Sequence, residues 1–211
     1  MPNISNECKT LLERLKGCDT EEMEQNPSLM LRFYPIRRPD CETTVFDEVY
    51  CLLGGNFLRK SYRFKLIFFL NTFLSSTKVP AYIIAAYIKK LSRFTLNAKP
   101  RTLVSILKLV GNLILRHPIL LVLRDRVDDK AQELSQESDS CTLRQWLLND
   151  PFNNDLTTDL KATRAMESSV WELMPLRFHK HPKVANAASF LNNPKIPEME
   201  FDINPCGRYQ T

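Results

Sequence analysis

The sequence predicts an all-α fold in which helices joined by short loops stack as a solenoid, and three observations carry that expectation. Gly is scarce, at 5 of 211 residues, while Pro is plentiful at 13, a balance that suits helices separated by proline stops. The long apolar stretches are built from Leu, Ile, Phe and Ala rather than from alternating β-branched residues, which favours the helical period over the strand period. Several of them place apolar residues at i, i+3, i+4 and i+7. No repeat of fixed sequence is legible, but successive helix pairs of similar length stack without one. The length suits one medium domain with tails.

Residues 1–44 read as a loosely ordered segment: a short amphipathic stretch, Cys8 to Lys16, then an acidic linker and the breaks at Pro35 and Pro39. The main helical domain is expected over residues 45–193. Its first helix begins near Thr43 or Thr44, carries Val45, Phe46, Val49, Leu52 and Leu53, and stops at Gly54 and Gly55. Asn56 is placed to cap a second helix with Arg59, Lys60, Arg63 and Lys65 in its first half and Phe64 to Leu74 behind them. A third helix is expected from Ala81 to Leu96, with Ile84, Tyr87, Ile88 and Leu91 on one stripe and Lys89, Lys90 and Arg93 pointing elsewhere. A fourth runs from the turn at Asn97 to Pro100 as far as Arg116, with Leu103, Ile106, Leu107, Val110, Leu113 and Ile114 aligned, and Pro118 ends it. Short loops between these helices imply antiparallel neighbours.

From about residue 124 to 159 the chain turns acidic, with nine Asp or Glu, and reads as a flexible, exposed insertion. Leu143, Trp146, Leu147 and Leu148 form an apolar patch within it. Two further helices are expected, Asp159 to Met174 and Pro182 to Leu191, before an irregular tail over residues 194–211 with Pro194, Pro197 and Pro205.

The net charge is +5, yet from Val49 to Arg124 there are 13 Lys or Arg and no Asp or Glu, so the remainder of the chain is −8. Such asymmetry suggests a basic face available to phosphates or to an acidic partner. The plainer alternative is a set of solvated helix faces. Six cysteines, Cys8, Cys18, Cys41, Cys51, Cys141 and Cys206, are scattered without CxxC spacing and with no signal peptide ahead of them, as expected of free thiols in a reducing compartment. The most apolar run, Phe64 to Leu74, is too short to span a bilayer, and the run from Leu113 to Leu123 is interrupted by Arg116, His117 and Pro118. Membrane insertion is not expected.

Catalytic and ligand motifs are weak. His179 and His181 stand two apart, without a second ligand pair, so a zinc site is not expected. Gly54 and Gly55 are followed by no Lys-Ser or Lys-Thr, so no phosphate-binding loop is read. Arg116-His117-Pro118 reads as a helix end whose cations face terminal carbonyls. Glu167 stands three residues after Arg164 and four before Trp171, where a helical salt bridge and a packing contact suffice to explain it. No enzyme and no cofactor are expected.

Five stretches then recur in an order that marks a family. They are Pro80-Ala81-Tyr82-Ile83-Ile84-Ala85-Ala86-Tyr87-Ile88-Lys89-Lys90-Leu91-Ser92-Arg93, Asn112-Leu113-Ile114-Leu115-Arg116-His117-Pro118, Asp150-Pro151-Phe152, Arg164 to Leu173 around Trp171, and His179 to Ala188. Together, over roughly Val45 to Asn193, they resemble the carboxy-terminal half of the nucleolar complex protein 4 family, within the CCAAT-binding-factor-like proteins. The resemblance implies a HEAT-like solenoid in the nucleolus of the nucleus, bound to nucleolar protein 14 in the small-subunit processome and acting in 18S ribosomal RNA maturation and 40S export. The family's long helical amino-terminal region has no counterpart here, and the stretch after Phe201 departs from its usual ending, so a shortened form is expected.

Two functions of different classes follow. A protein-interaction scaffold would offer aromatic faces around Tyr82, Tyr87, Trp146 and Trp171 to a partner chain. A direct binder of pre-ribosomal RNA would track phosphates with Arg59, Lys60, Arg63, Lys89, Lys90, Arg93, Lys99 and Arg101. The scaffold ranks first, because Phe64, Phe68 and Phe69 suit a core better than base stacking.

Overall fold

A computed structural model describes residues 10, 13–14, 16–17, 42–54, 56–126, 150–153, 159–192 and 200–203. Every regular element among them is helical, and none of them forms a strand. The α-helices are α1 (Glu42–Leu52), α2 (Arg63–Phe73), α3 (Ala81–Thr95), α4 (Pro100–Arg116) and α5 (Pro182–Ala187). Shorter 3₁₀ segments cover Phe57–Arg59, Pro118–Leu120, Ala165–Glu167, Trp171–Phe178 and Ser189–Leu191. The acidic insertion with Trp146 and most of the amino-terminal segment lie outside the described residues, as do residues 193–199 and 204–211 of the tail.

Prolines set the helix limits as expected. Pro80 precedes α3 in an extended conformation and Pro100 opens α4, with Lys99 held extended ahead of it, as the residue before a proline must be. At the other end α4 stops at His117, because Pro118 has no N–H to continue the ladder. The expected stripes of α3 and α4 are both buried.

The four long helices alternate in direction. Phe46 of α1 accepts a hydrogen bond from Tyr87 Oη of α3 at 2.6 Å, and one turn on Tyr50 O faces Lys90 Nζ at 3.3 Å, so α1 and α3 run the same way. Likewise α2 and α4 are parallel: Phe64 lies beside Arg101 at their beginnings, and Arg116 Nη1 donates to Asn71 O at their ends. The His117 ring meets Leu74 O at 3.2 Å. Arg116 and His117 thus serve carbonyls at the C-terminal end of α2, a neighbouring helix rather than their own.

Three expectations need correction. The second helix starts at Arg63 instead of after Asn56, because Phe57–Arg59 forms a separate 3₁₀ turn whose Phe57 ring is buried against Phe94 at 5.3 Å. Between Asp159 and Met174 there is no α-helix. Arg164 takes a left-handed conformation at φ 55°, and the chain continues in 3₁₀ turns with Pro175 inside the second. The helix from Pro182 is α only to Ala187 and then tightens to 3₁₀.

The tail also docks where it is described. Asn112 of α4 donates through Nδ2 to Phe201 O at 2.8 Å and accepts from Phe201 N at 2.6 Å, so one side chain satisfies both backbone groups. Arg116 pairs with Glu200 at 2.5 Å, Lys108 donates to Asp202 O at 2.7 Å, and Ile203 is buried. The Phe201 ring fits over Gly111 because that position has no side chain: a Cβ there would stand 2.5 Å from the ring.

Candidate functional site

Three of the five recurring stretches converge inside the molecule on one cluster of charges. Lys89 extends from α3 to where Asp150, Ser169 and Glu172 meet. Its Nζ donates to Glu172 Oε1 at 2.6 Å, to Asp150 Oδ2 at 2.7 Å and to Ser169 O at 2.5 Å, which uses all three ammonium protons. Arg93, one turn later, reaches the same carboxylates, with Nη2 2.7 Å from Asp150 Oδ2 and Nε 2.9 Å from Glu172 Oε1. Asp150 also accepts from Trp171 Nε1 at 3.0 Å, from Ser168 Oγ at 2.5 Å and from Phe152 N at 3.1 Å. The Trp171 ring completes the cluster, 5.5 Å from Lys89 Nζ and 5.2 Å from Arg93 Cζ.

Two cations and two carboxylates make the group neutral, and the side chains of Lys89, Asp150 and Glu172 are at most 2% exposed. Burial depresses Lys89 and raises Glu172, each shift opposed by the opposite charge beside it. Asp150 resists the upward effect of burial: Lys89 and the hydrogen bonds from Ser168 and Trp171 hold it below its ordinary value. Glu172 Oε2 is the one carboxylate oxygen here that accepts no hydrogen bond. This nearly fully bonded arrangement acts as an internal strut tying the insertion's end and the 165–178 segment to α3.

The cluster requires several corrections to the expected site residues. Lys89 and Lys90 are buried, and Arg93 is committed to two carboxylates, so α3 offers none of the three to phosphates. Lys90 lies on the other side of α3, 3.7 Å over the Tyr50 ring, and burial lowers its pKa to about 8. Tyr87 and Trp171 are interior too, one hydrogen-bonded to α1 and the other to Asp150. Tyr82 is half-buried against the core, and Trp146 lies outside the described residues. Asp150, assigned by sequence to an exposed insertion, is a core anchor.

A signal for Lys89 was present. It shares a helix face with Ala85 and Ser92, small residues beside it that let another segment approach closely. The surviving basic candidates are Arg59, Lys60, Lys99 and Arg101, all exposed, with Arg63 half-buried. Among the described residues, the large apolar side chains most exposed to solvent are Phe178 at 81% and Ile119 at 64%, neither of which was singled out from sequence.

Among the described residues no group of three His, Cys, Asp or Glu is placed to hold a metal ion. Among the described residues no single helix is long and apolar enough to cross a membrane; α4 and the following Pro118–Arg126 stretch pass only as a pair bent by 117°. Fold and site together define a helical domain with a charged internal strut. The chain matches the CBF/Mak21 family over residues 29–188, which begins ahead of the expected boundary at Val45, and it belongs to that family.

Relatives bear the name expected from the recurring stretches. The chain is 36% identical to the nucleolar complex protein 4 homolog of Gallus gallus over 75% of its own length and 28% of the relative's. It is 34% identical to that of Danio rerio over 82% of this chain and 30% of the relative. To nucleolar complex protein 4 of Saccharomyces cerevisiae it is 31% identical over 71% of this chain and 27% of the relative. The chain therefore spans less than a third of the length of these relatives.

Proposed function

We propose that the chain is a non-catalytic ribosome-biogenesis factor of the nucleolus, working as a protein-binding scaffold in small-subunit assembly. The relatives' shared name supports the nucleolar reading. Its finer content is 18S ribosomal RNA maturation and 40S assembly, with nucleolar protein 14 as the partner chain. We further propose that the alternating α1–α4 stack is one stretch of a HEAT-like solenoid.

The observation that carries the scaffold reading is Phe178. It is 81% exposed, with Arg177 Cζ 5.3 Å from its ring, and it ends the 3₁₀ segment whose first residues, Trp171 and Glu172, are fixed in the buried cluster. A rigidly mounted aromatic beside an arginine is what protein interfaces use as an anchor. The test is capture of nucleolar protein 14 from nuclease-treated nucleolar extract by the wild-type chain and by Phe178→Ser. Capture that the variant loses, with its helical circular dichroism unchanged, is expected. Equal capture by both, or none by the wild type, would refute the reading.

A further inference from the structure

We propose that the turn from Asn56 to Tyr62, together with the first turns of α2 and α4, forms a docking surface for the phosphate backbone of RNA. Two stretches distant in sequence meet there. Arg63 Cζ lies 4.4 Å and Arg101 Cζ 5.0 Å from the same Phe64 ring, which sets the first turns of α2 and α4 side by side, with exposed Arg59 and Lys60 just ahead of one in the chain and exposed Lys99 just ahead of the other.

The site is built rather than diffuse. Phe57, buried against Phe94, pins the turn, and Phe57 N donates to Gly54 O at 2.8 Å while Lys60 N donates to Phe57 O at 3.0 Å. Arg63 Nη1 donates to Lys60 O at 3.0 Å and its Nε is buried without an acceptor. The parallel arrangement of α2 and α4 sets two positive dipole ends side by side, and neither first turn contains an acidic residue. No carboxylate among the described residues pairs with Arg59, Lys60, Arg63 or Lys99.

The contrast with Lys89 and Arg93 makes the assignment sharper. Those cations are neutralised by Asp150 and Glu172, whereas Arg59, Lys60 and Lys99 have no carboxylate partner among the described residues and suit an external polyanion. Phe64 is buried beneath the guanidinium groups, so no aromatic face remains for a base and the surface reads phosphates without reading sequence. That the polyanion is RNA rests on the ribosome-biogenesis reading above.

The test uses the purified full chain and a short labelled single-stranded RNA of mixed sequence, titrated from about 50 to 200 mM salt. Three chains are compared: wild type, Arg59→Gln with Lys60→Gln and Lys99→Gln, and a control carrying Lys78→Gln with Lys180→Gln at exposed sites elsewhere. Wild type and control should weaken alike with salt. The triple variant should bind at least about tenfold more weakly at low salt, with a log–log salt slope shallower by about 2, at roughly 0.7 for each phosphate no longer neutralised.

DNA of the same sequence should compete comparably, as phosphate recognition requires. The proposal fails if wild type does not bind at low salt, if the triple variant matches wild type, or if the control loses as much. It fails too if a Glu-rich peptide occupies the same residues more tightly than RNA. No partner chain is present in this assay, so its failure and failure of the nucleolar protein 14 capture are separate results.

Discussion

The basic residues of α3 and those at the beginnings of α2 and α4 come from one acid-free block of sequence, yet they do opposite work. Lys89 and Arg93 are enclosed with Asp150 and Glu172, both contributed from beyond the block. Arg59, Lys60 and Lys99 stand in solvent without a carboxylate partner among the described residues. Counter-charge accounts for the difference. A cation enters a core only when acceptors replace its water, and the segments carrying those acceptors pack on α3.

Four experiments break or sharpen that contrast, the largest effect first. Asp150→Ala would leave Lys89 and Arg93 each short of a carboxylate and take away an acceptor from Trp171 Nε1 and Ser168 Oγ. Removing one partner of a buried pair costs about 3–5 kcal/mol, so the denaturant midpoint should fall steeply with an unchanged slope. A loss under about 1 kcal/mol would show that the cluster is not the strut described.

Lys90 tests burial without a carboxylate. Its pKa is about 8 in the folded chain, against an ordinary lysine value of 10.5. Below pH 8 both states hold the proton and the burial cost is complete. Between pH 8 and about 10 the unfolded state binds more protons, so stability should rise with pH, by at most about 3 kcal/mol. Lys90→Met should remove that contribution to the rise and be the more stable chain at pH 7; denaturant titrations of both across this range decide it.

Gly111→Ala probes the tail strap. The new Cβ would meet the Phe201 ring at 2.5 Å, and overpacking of this kind costs about 1–3 kcal/mol. Pairing it with Phe201→Ala should recover most of the loss in a double-mutant cycle, and independent effects would mean that the close approach is unimportant. Last, Arg59→Gln with Lys60→Gln and Lys99→Gln should shift stability by less than about 0.5 kcal/mol per site in thermal unfolding. Marked destabilisation would give these residues the structural role assigned to Lys89.

Legibility followed the range of the forces involved. Proline stops and apolar stripes placed α3 and α4 to within a residue or two, because both are written within a single turn of the chain. The stretch around Trp171 read as a helix and is not one, since its backbone is used elsewhere. Val170 N donates to Leu123 O at 2.9 Å, Ser169 O accepts from Lys89, and Met166 O accepts from Arg126. An α-helix would need those groups for its own ladder. Phe178 was missed for a related reason: the 3₁₀ segment Trp171–Phe178 that carries it runs past Met174, where the expected helix ended.

By itself the sequence determined the all-helical class, the limits of the best helices, the acid-free basic block and the family. Only the tertiary structure decided which cations are interior, that α2 and α4 lie parallel, and that Asn112 holds the strap at Phe201. Helical periodicity and proline geometry act between near neighbours in the chain and can be read locally. Burial of a charge depends on whether acceptors far along the chain arrive to replace its water, and folding alone determines that.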